Sequence, residues 1–145
     1  MQRTMSVDHP TTVCLVDDDP SIRKALSRLL ESQGYKVKAF SAAESFLEHV
    51  ARENVPVLVS DIWMGGLNGM QLLAHLCAKS PQTRVIFITG HDDAAAETTV
   101  MQAGASQFLV KPVEEEQLLS AVRRAFFESL EVEHRLKGPP SVPES

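Results

Sequence analysis

Val57-Leu58-Val59-Ser60-Asp61 is the stretch around which the rest of the chain is organised, an apolar run that ends on a carboxylate. Pro56 precedes it and Met64-Gly65-Gly66 follows closely, which is typical of a buried strand that opens into a loop. Asp61 is therefore predicted at the carboxyl end of a strand, the edge where open α/β sheets bind their ligands. Taken alone, an Asp at such a position is more often a turn former or a helix cap.

Composition limits the classes of protein to consider. The chain has 145 residues, 43% hydrophobic and 23% charged, as expected of one ordinary globular domain. No apolar run has membrane-spanning length and no secretory signal is visible, so we expect a cytoplasmic protein without a membrane partner. The net charge of −5 argues against a nucleic-acid surface in this segment. Cys14 and Cys77 are predicted to be small buried hydrophobes, and scattered histidines make a zinc site improbable.

Hydrophobic patterning predicts five strands that alternate with five helices. The strands are predicted over residues 11–16, 35–40, 57–60, 84–88 and 107–110. Asp19 is the predicted cap of the first helix. The pairs Ser41/Glu44 and Asn68/Gln71 have the spacing of capping boxes, which predicts the starts of the second and third helices.

The last two helices differ in how firmly they should be held. The fourth, over about 93–103, is rich in Ala and Thr and poor in large apolar residues, which predicts the least firmly anchored helix. The fifth begins at Glu114-Glu115-Glu116, where acids complement the helix dipole, and its pattern fades beyond about Glu131.

The extent of the periodic pattern predicts the domain bounds. We predict a flexible lead-in over 1–10, one domain over 11–130 and a linker-like tail over 131–145.

The alternation of strands and helices predicts an α/β fold, a doubly wound parallel sheet with helices on both faces. Right-handed crossovers bring the carboxyl ends of all strands to one edge of such a sheet. The polar residues that follow strands one, three, four and five are therefore expected to converge at this edge: Asp17, Asp18, Asp61, Thr89 and Lys111.

This set of side chains has a coherent chemistry. Three carboxylates brought together would repel and raise one another's pKa unless a cation lay between them. Hard oxygen ligands suit Mg²⁺, which keeps waters and leaves positions for phosphate oxygens. Lys111 adds a fixed positive charge and Thr89 a hydroxyl, so the set describes a phosphoryl site with a carboxylate acceptor. Each residue alone has an ordinary explanation as a cap, turn or surface residue, and the joint placement favours the site.

Four motifs carry a family resemblance: Leu15-Val16-Asp17-Asp18-Asp19, Val59-Ser60-Asp61-Ile62-Trp63-Met64, Ile88-Thr89-Gly90-His91 and Phe108-Leu109-Val110-Lys111-Pro112. From about Thr11 to Phe127, the chain resembles the receiver domain of two-component response regulators. Within that family it is most similar to FixJ/NarL (LuxR-type) receivers. The resemblance implies a flavodoxin-like (βα)5 fold with strand order 2-1-3-4-5.

The resemblance also implies a role for each residue of the phosphoryl site. Asp61 is the implied phosphoacceptor, which receives its phosphate from a sensor histidine kinase. Thr89 and Lys111 are implied to hold phosphoryl oxygens. Phe108 stands at the family's switch aromatic, which turns inward as the threonine moves toward the phosphate. The peptide bond before Pro112 is implied to be cis, a form that is cheap only before proline.

The metal cofactor implied by the resemblance is Mg²⁺. Asp18 and Asp61 are implied to bind it directly, together with the backbone carbonyl of Trp63, while Asp17 helps through water. The loop departs from the family pattern, because Gly65-Gly66 stands where proline usually follows the methionine, and glycine loosens the loop. We hypothesise that Trp63 and His91, which bracket the site, shield the acyl phosphate from water.

The implied output is a population shift rather than catalysis of a substrate reaction. Phosphorylation favours an active arrangement of the fourth helix, fifth strand and fifth helix, the face through which related receivers dimerise. The protein is therefore expected to be no enzyme, beyond assisting its own phosphorylation and slow dephosphorylation. FixJ/NarL-type proteins control transcription through a DNA-binding domain, and the Pro-rich tail favours such a longer regulator. A stand-alone receiver that signals through protein contacts is the alternative, and this segment itself is expected not to bind DNA.

Two other interpretations of these residues are possible. A haloacid-dehalogenase-like phosphatase would use Asp17 as nucleophile and Asp19 as acid/base. Pro20 stands where that motif continues with a small residue, no late acidic pair follows Lys111, and Asp61 would have no role. A degenerate receiver that acts as a constitutive binding module is disfavoured by the intact set of site residues.

Overall fold

The computed structural model describes residues 11–90 and 93–137, with side chains described as far as Val132. Strands and helices alternate along this part of the chain: β1 (Thr12–Val16), α1 (Pro20–Ser32), β2 (Lys36–Phe40), α2 (Ala43–Val50), β3 (Val57–Asp61), α3 (Gly69–Lys79), β4 (Arg84–Thr89), α4 (Ala94–Gln102), β5 (Gln107–Val110) and α5 (Glu115–Lys137). The strands form one parallel sheet in the order β2-β1-β3-β4-β5, so the predicted flavodoxin-like fold is confirmed. Within the described ranges, no helix is long and apolar enough to cross a membrane.

Helices cover both faces of the sheet, which is why its central strands are apolar along their whole length. Every residue of β3 is buried. Along β1, Val13 and Leu15 pack into the core beneath α1 and α5, whereas Cys14 and Val16 pack into the core beneath α2, α3 and α4. Burial raises the pKa of the Cys14 thiol to about 12, so this residue is an unreactive part of the core.

Helix α4 is held by few large side chains, as its composition predicts. Its buried residues are Ala96 and Val100. Helix α3, on the same face of the sheet, buries three leucines: Leu72, Leu73 and Leu76. Because apolar burial supplies most of the energy that holds a helix to a sheet, α4 is the easier of the two to displace.

Two local predictions were wrong. Ser41 does not cap α2: the N-cap is Ala42, without a side-chain hydrogen bond, and the Glu44 carboxylate accepts the Leu67 N–H instead. Cys77 is exposed, with its Sγ 3.6 Å from the Ala103 carbonyl oxygen. Leu72, Leu73 and Leu76 form the buried face of α3, and Cys77 lies outside that face. In contrast, Asn68 and Gln71 form the predicted capping box of α3.

The predicted end of the fifth helix was also wrong. Helix α5 continues to Lys137, so residues 131–137 are helical rather than linker. No Gly or Pro interrupts the sequence before Gly138, which permits the helix to continue past the end of its clear apolar pattern. The predicted lead-in 1–10 and the remainder of the predicted tail, 138–145, lie outside the described residues.

Candidate functional site

The ends of four parallel strands meet at one edge of the sheet. Asp17 follows β1, Asp61 ends β3, Thr89 ends β4 and Lys111 follows β5. The register aligns these ends, since Asp61 lies opposite Ile88 and Thr89 lies opposite Val110. The sheet therefore brings together residues that are up to 94 positions apart in sequence.

Lys111 joins two acids of this edge. Its Nζ lies 3.3 Å from Asp61 Oδ2 and 3.3 Å from Asp17 Oδ2. Its backbone N–H donates to the Thr89 carbonyl at 2.7 Å, which fixes the start of the β5–α5 loop. The Lys111–Pro112 peptide bond is cis, the geometry that the resemblance implies.

Three carboxylates form a cluster that can hold a metal ion. One oxygen each of Asp17, Asp18 and Asp61 lies within 4.8 Å of the others. Asp17 and Asp61 are buried, with 2% and 9% of their surface exposed, whereas Asp18 is open to solvent. A set of hard oxygen ligands with one open side fits Mg²⁺, which retains several waters. With one ammonium among them, three ionised carboxylates leave two negative charges in excess, which a divalent cation would cancel.

The acids that follow β1 have different partners. Asp17 is fixed on both oxygens, since Oδ1 accepts the Asp19 N–H at 2.9 Å and Oδ2 lies beside Lys111. Arg23 donates to the Asp17 carbonyl at 2.7 Å and holds the backbone there. Asp19 caps α1, because its Oδ1 accepts the Ser21 N–H at 2.8 Å. Asp19 therefore serves the helix rather than the site, contrary to the phosphatase interpretation.

Burial and the Lys111 ammonium shift the pKa of Asp61 in opposite directions. Burial raises the pKa of this carboxyl, the Lys111 ammonium lowers it, and the Asp17 carboxylate raises it. The Trp63 N–H donates to Asp61 Oδ1 at 3.2 Å and lowers it further, but the pKa remains above its ordinary value. Burial lowers the pKa of Lys111, and the carboxylates of Asp61 and Asp17 more than reverse this. Lys111 is thus a permanent cation at this edge.

The structure also describes both predicted switch residues and one of the two predicted flanking residues. Thr89 is 1% exposed at the end of β4. Phe108 is half-buried on β5, opposite Phe87, and packs against the core beneath α2, α3 and α4. Trp63 has 42% of its surface exposed on the loop after Asp61. His91 lies outside the described residues.

Sequence patterns did not reveal two further features of this edge. Glu44 contacts the acceptor loop from α2, and a local capping pattern had assigned it elsewhere. A largely apolar groove of about 430 Å³ opens beside the site. Its lining comes from α1, the end of β4 and the β5–α5 loop: Ile22, Ala25, Leu26, Ile88, Lys111, Pro112 and Val113. The sequence shows Ile22, Ala25 and Leu26 at helical spacing, which predicts a packed face of α1 rather than a groove.

Comparison with known proteins agrees with this geometry. Residues 13–123 match the family described as response regulator receiver domain. Response regulator protein TmoT of Ectopseudomonas mendocina is 37% identical over 118 residues, which are 81% of this chain and 54% of TmoT. Transcriptional regulatory protein FixJ of Azorhizobium caulinodans is 35% identical over 119 residues, 82% of this chain and 56% of FixJ. The chain thus spans about half the length of these relatives.

A solved structure gives the same result. The beryllofluoride-activated NtrC4 receiver domain dimer matches with a TM-score of 0.79 and 32% identity, over 82% of this chain and 98% of that one. The family match covers most of the chain and includes the strand ends that carry Asp17, Asp61, Thr89 and Lys111. This chain therefore belongs to the response regulator receiver domain family of two-component systems.

Proposed function

We propose that this chain is a phosphoacceptor that takes a phosphoryl group from a sensor histidine kinase onto Asp61, in a step that depends on Mg²⁺. The observation that carries the proposal is the position of the Asp61 carboxylate, 3.3 Å from the Lys111 ammonium and inside a cluster of three acids. A carboxylate placed in this way can accept a phosphoryl group while a metal ion and the Lys111 ammonium offset the charge of the phosphoryl oxygens.

Asp61 is a better acceptor than Asp17 because its oxygens are easier to reach. The Asp61 side chain is 11% exposed and the Asp17 side chain 3%. Hydrogen bonding does not separate the two acids, because each has one oxygen beside Lys111 and the other bonded to a backbone N–H. Of the two buried acids, Asp61 is therefore the more accessible to a phosphoryl group.

The residues at the strand ends have different roles in phosphoryl transfer. An Asp61 oxygen attacks the phosphorus of phosphohistidine, so that a P–O bond forms, the P–N bond breaks and its electron pair returns to the imidazole. Lys111 and Thr89 hold the phosphoryl oxygens and offset their charge. Asp18, Asp61 and the Trp63 carbonyl would hold Mg²⁺, with Asp17 acting through water. When bound, this ion offsets the negative charge that the acids and the phosphoryl group share.

The groove beside Lys111 supports a protein as the phosphate donor. A buried acceptor needs a donor that docks closely, and the apolar side chains of α1 border the site on one side. Leu26 and Ile22 are half-buried there and leave apolar surface for a partner to cover. We infer that the kinase domain carrying the phosphohistidine covers this groove during transfer.

The output of phosphorylation is a change in the face formed by α4, β5 and α5. The weak anchoring of α4 supports this proposal, since an element with few buried large side chains is inexpensive to move. Thr89 and Phe108 are the proposed links from phosphate to that face. The proposed result is dimerisation and control of a DNA-binding domain. A relative named as a transcriptional regulatory protein and a similar receiver domain solved as a dimer support it. The chain is then a signalling switch of the cytoplasm rather than an enzyme.

Labelling with acetyl phosphate and Mg²⁺ tests the proposal. We expect the intact mass to rise by one phosphoryl group, and the gain to disappear in Asp61→Asn and when EDTA removes the metal. Asp17→Asn should keep a reduced label. Label that persists in Asp61→Asn and disappears in Asp17→Asn would instead support the phosphatase interpretation.

A further inference from the structure

The middle of the loop between β3 and α3 is joined to helix α2 by a hydrogen bond. The Leu67 N–H donates to Glu44 Oε2 at 3.3 Å, across 23 residues of sequence. Glu44 lies in the first turn of α2, on the face of the sheet that α3 also covers. The contact therefore ties the loop that follows the acceptor Asp61 to a neighbouring helix.

Gly66 makes room for this contact. Its φ is +79°, a conformation that favours glycine, and a Cβ placed on it would lie 3.1 Å from Glu44 Oε2. The neighbouring Gly65 has no such constraint, since a Cβ there would meet no atom within 4 Å. The backbone conformation thus favours glycine at position 66, where the Glu44 carboxylate lies against the loop backbone.

Both ends of the loop have local anchors. At the start, the Trp63 N–H donates to Asp61 Oδ1 at 3.2 Å. At the end, the Gly69 N–H donates to the Ile62 carbonyl at 2.8 Å. Two successive glycines between these anchors give the middle of the loop conformational freedom. Glu44 restrains that freedom from outside the loop.

We propose that Glu44 is a positioning residue for the acceptor loop, which fixes the Trp63 backbone beside Asp61 and thereby strengthens Mg²⁺ binding. The inference rests on the proposed function, in which the Trp63 carbonyl is a metal ligand. Glu44 acts through the Leu67 N–H and the loop backbone rather than by contact with the metal. Groups that orient ligands in this indirect way commonly control metal affinity.

The test compares Glu44→Ala, Glu44→Gln and Glu48→Ala in the full chain. Glu48 is an exposed acid on the same helix, so its loss matches the change in net charge. Mg²⁺ affinity is read from the fluorescence of Trp63, the single tryptophan of the chain. Hydrogen exchange of the Leu67 amide is measured without metal as a second readout.

We expect Glu44→Ala to raise the Mg²⁺ dissociation constant about 3- to 10-fold, the size of one ordinary hydrogen bond, because the bond between Leu67 and Glu44 is exposed to solvent. It should also speed exchange of the Leu67 amide. Glu44→Gln keeps an acceptor oxygen and should restore most of both properties, and Glu48→Ala should change neither. Gly66→Ala should weaken Mg²⁺ binding as well, whereas Gly65→Ala should have less effect.

Three results would overturn the inference: unchanged Mg²⁺ affinity in Glu44→Ala, an equal loss in Glu48→Ala, or no recovery in Glu44→Gln. Failure of the proposed function looks different, because the unsubstituted chain would then bind no Mg²⁺ at all. Even then, unchanged exchange of the Leu67 amide in Glu44→Ala would reject the tie between the loop and α2.

Discussion

At the scale of single residues, Asp61 is held in a state that costs folding free energy. Burial and the neighbouring Asp17 carboxylate raise its pKa more than the Lys111 ammonium and the Trp63 N–H lower it. A carboxyl whose pKa is raised by folding destabilises the folded protein once it is ionised. Such a residue fits a reactive site better than a structural ion pair.

Asp61→Asn is therefore expected to stabilise the metal-free protein at neutral pH. The folded pKa of Asp61 lies above its ordinary value of 3.8, so ionisation penalises folding as the pH rises through that raised pKa. The stability difference between the variant and the unsubstituted chain should be full above the raised pKa. It should shrink as the pH falls toward 3.8. Urea denaturation at several pH values without Mg²⁺ measures this difference, and a less stable variant at pH 7 would contradict the prediction.

Trp63 gives a second prediction at this scale. Its side chain is 42% exposed on the loop beside the acceptor, where it can limit the access of water to a phosphoryl group on Asp61. Trp63→Ala should therefore shorten the lifetime of the phosphorylated protein several-fold. Loss of label after removal of acetyl phosphate measures that lifetime. An unchanged rate of dephosphorylation would show that Trp63 does not shield the site.

At the scale of elements, α1 and α4 have different tasks. Helix α1 presents half-buried apolar residues to the groove beside Lys111, and α4 is held to the sheet mainly by Ala96 and Val100. The first arrangement provides a surface for a partner, and the second provides an element that can move. Packing leaves apolar surface of α1 partly exposed, and it holds α4 by two small or medium-sized side chains.

The groove on α1 should matter for a protein donor and not for a small one. Leu26 borders the groove and is not one of the acids of the site. Leu26→Asp places a charge in an apolar contact, so it should slow phosphoryl transfer from a histidine kinase at least about 10-fold. Labelling by acetyl phosphate should remain close to that of the unsubstituted chain, which is the control for folding. Equal rates with the kinase would rule out this face as the docking surface.

Helix α4 should open more readily than α3, which covers the same face of the sheet. Its amides are expected to exchange faster than those of α3, which is anchored by Leu72, Leu73 and Leu76. Beryllofluoride with Mg²⁺ should change the exchange of α4 and β5 more than that of α3. Hydrogen exchange read by mass spectrometry makes the comparison. Exchange that changes equally in α3 and α4 would argue against α4 as the moving element.

At the scale of the whole molecule, the sequence was most informative where local pattern and topology coincide. Apolar runs that end on Asp17, Asp61 and Lys111 predicted both the parallel sheet and the convergence of these residues at one edge. The capping box at Asn68 was also predicted, because it depends only on Asn68 and on Gln71 three positions later.

Features that depend on how individual side chains of distant segments pack, beyond the shared edge of the strands, were not predicted. The role of Glu44 depends on a loop 23 residues away, which no local pattern encodes. The exposure of Cys77 depends on how α3 is rotated against the sheet, and its apolar neighbours gave no sign of that rotation. The groove beside Lys111 forms only when α1 meets the β5–α5 loop.

Mapping the phosphorylated residue tests the central claim most directly. Trypsin separates the candidates, because Asp61 falls in the peptide 53–79 and Asp17 in the peptide 4–23. After reaction with acetyl phosphate and Mg²⁺, we predict that the added phosphoryl group lies in peptide 53–79, on Asp61. A phosphoryl group on peptide 4–23, or none on either peptide in a folded protein with Mg²⁺ present, would contradict the account.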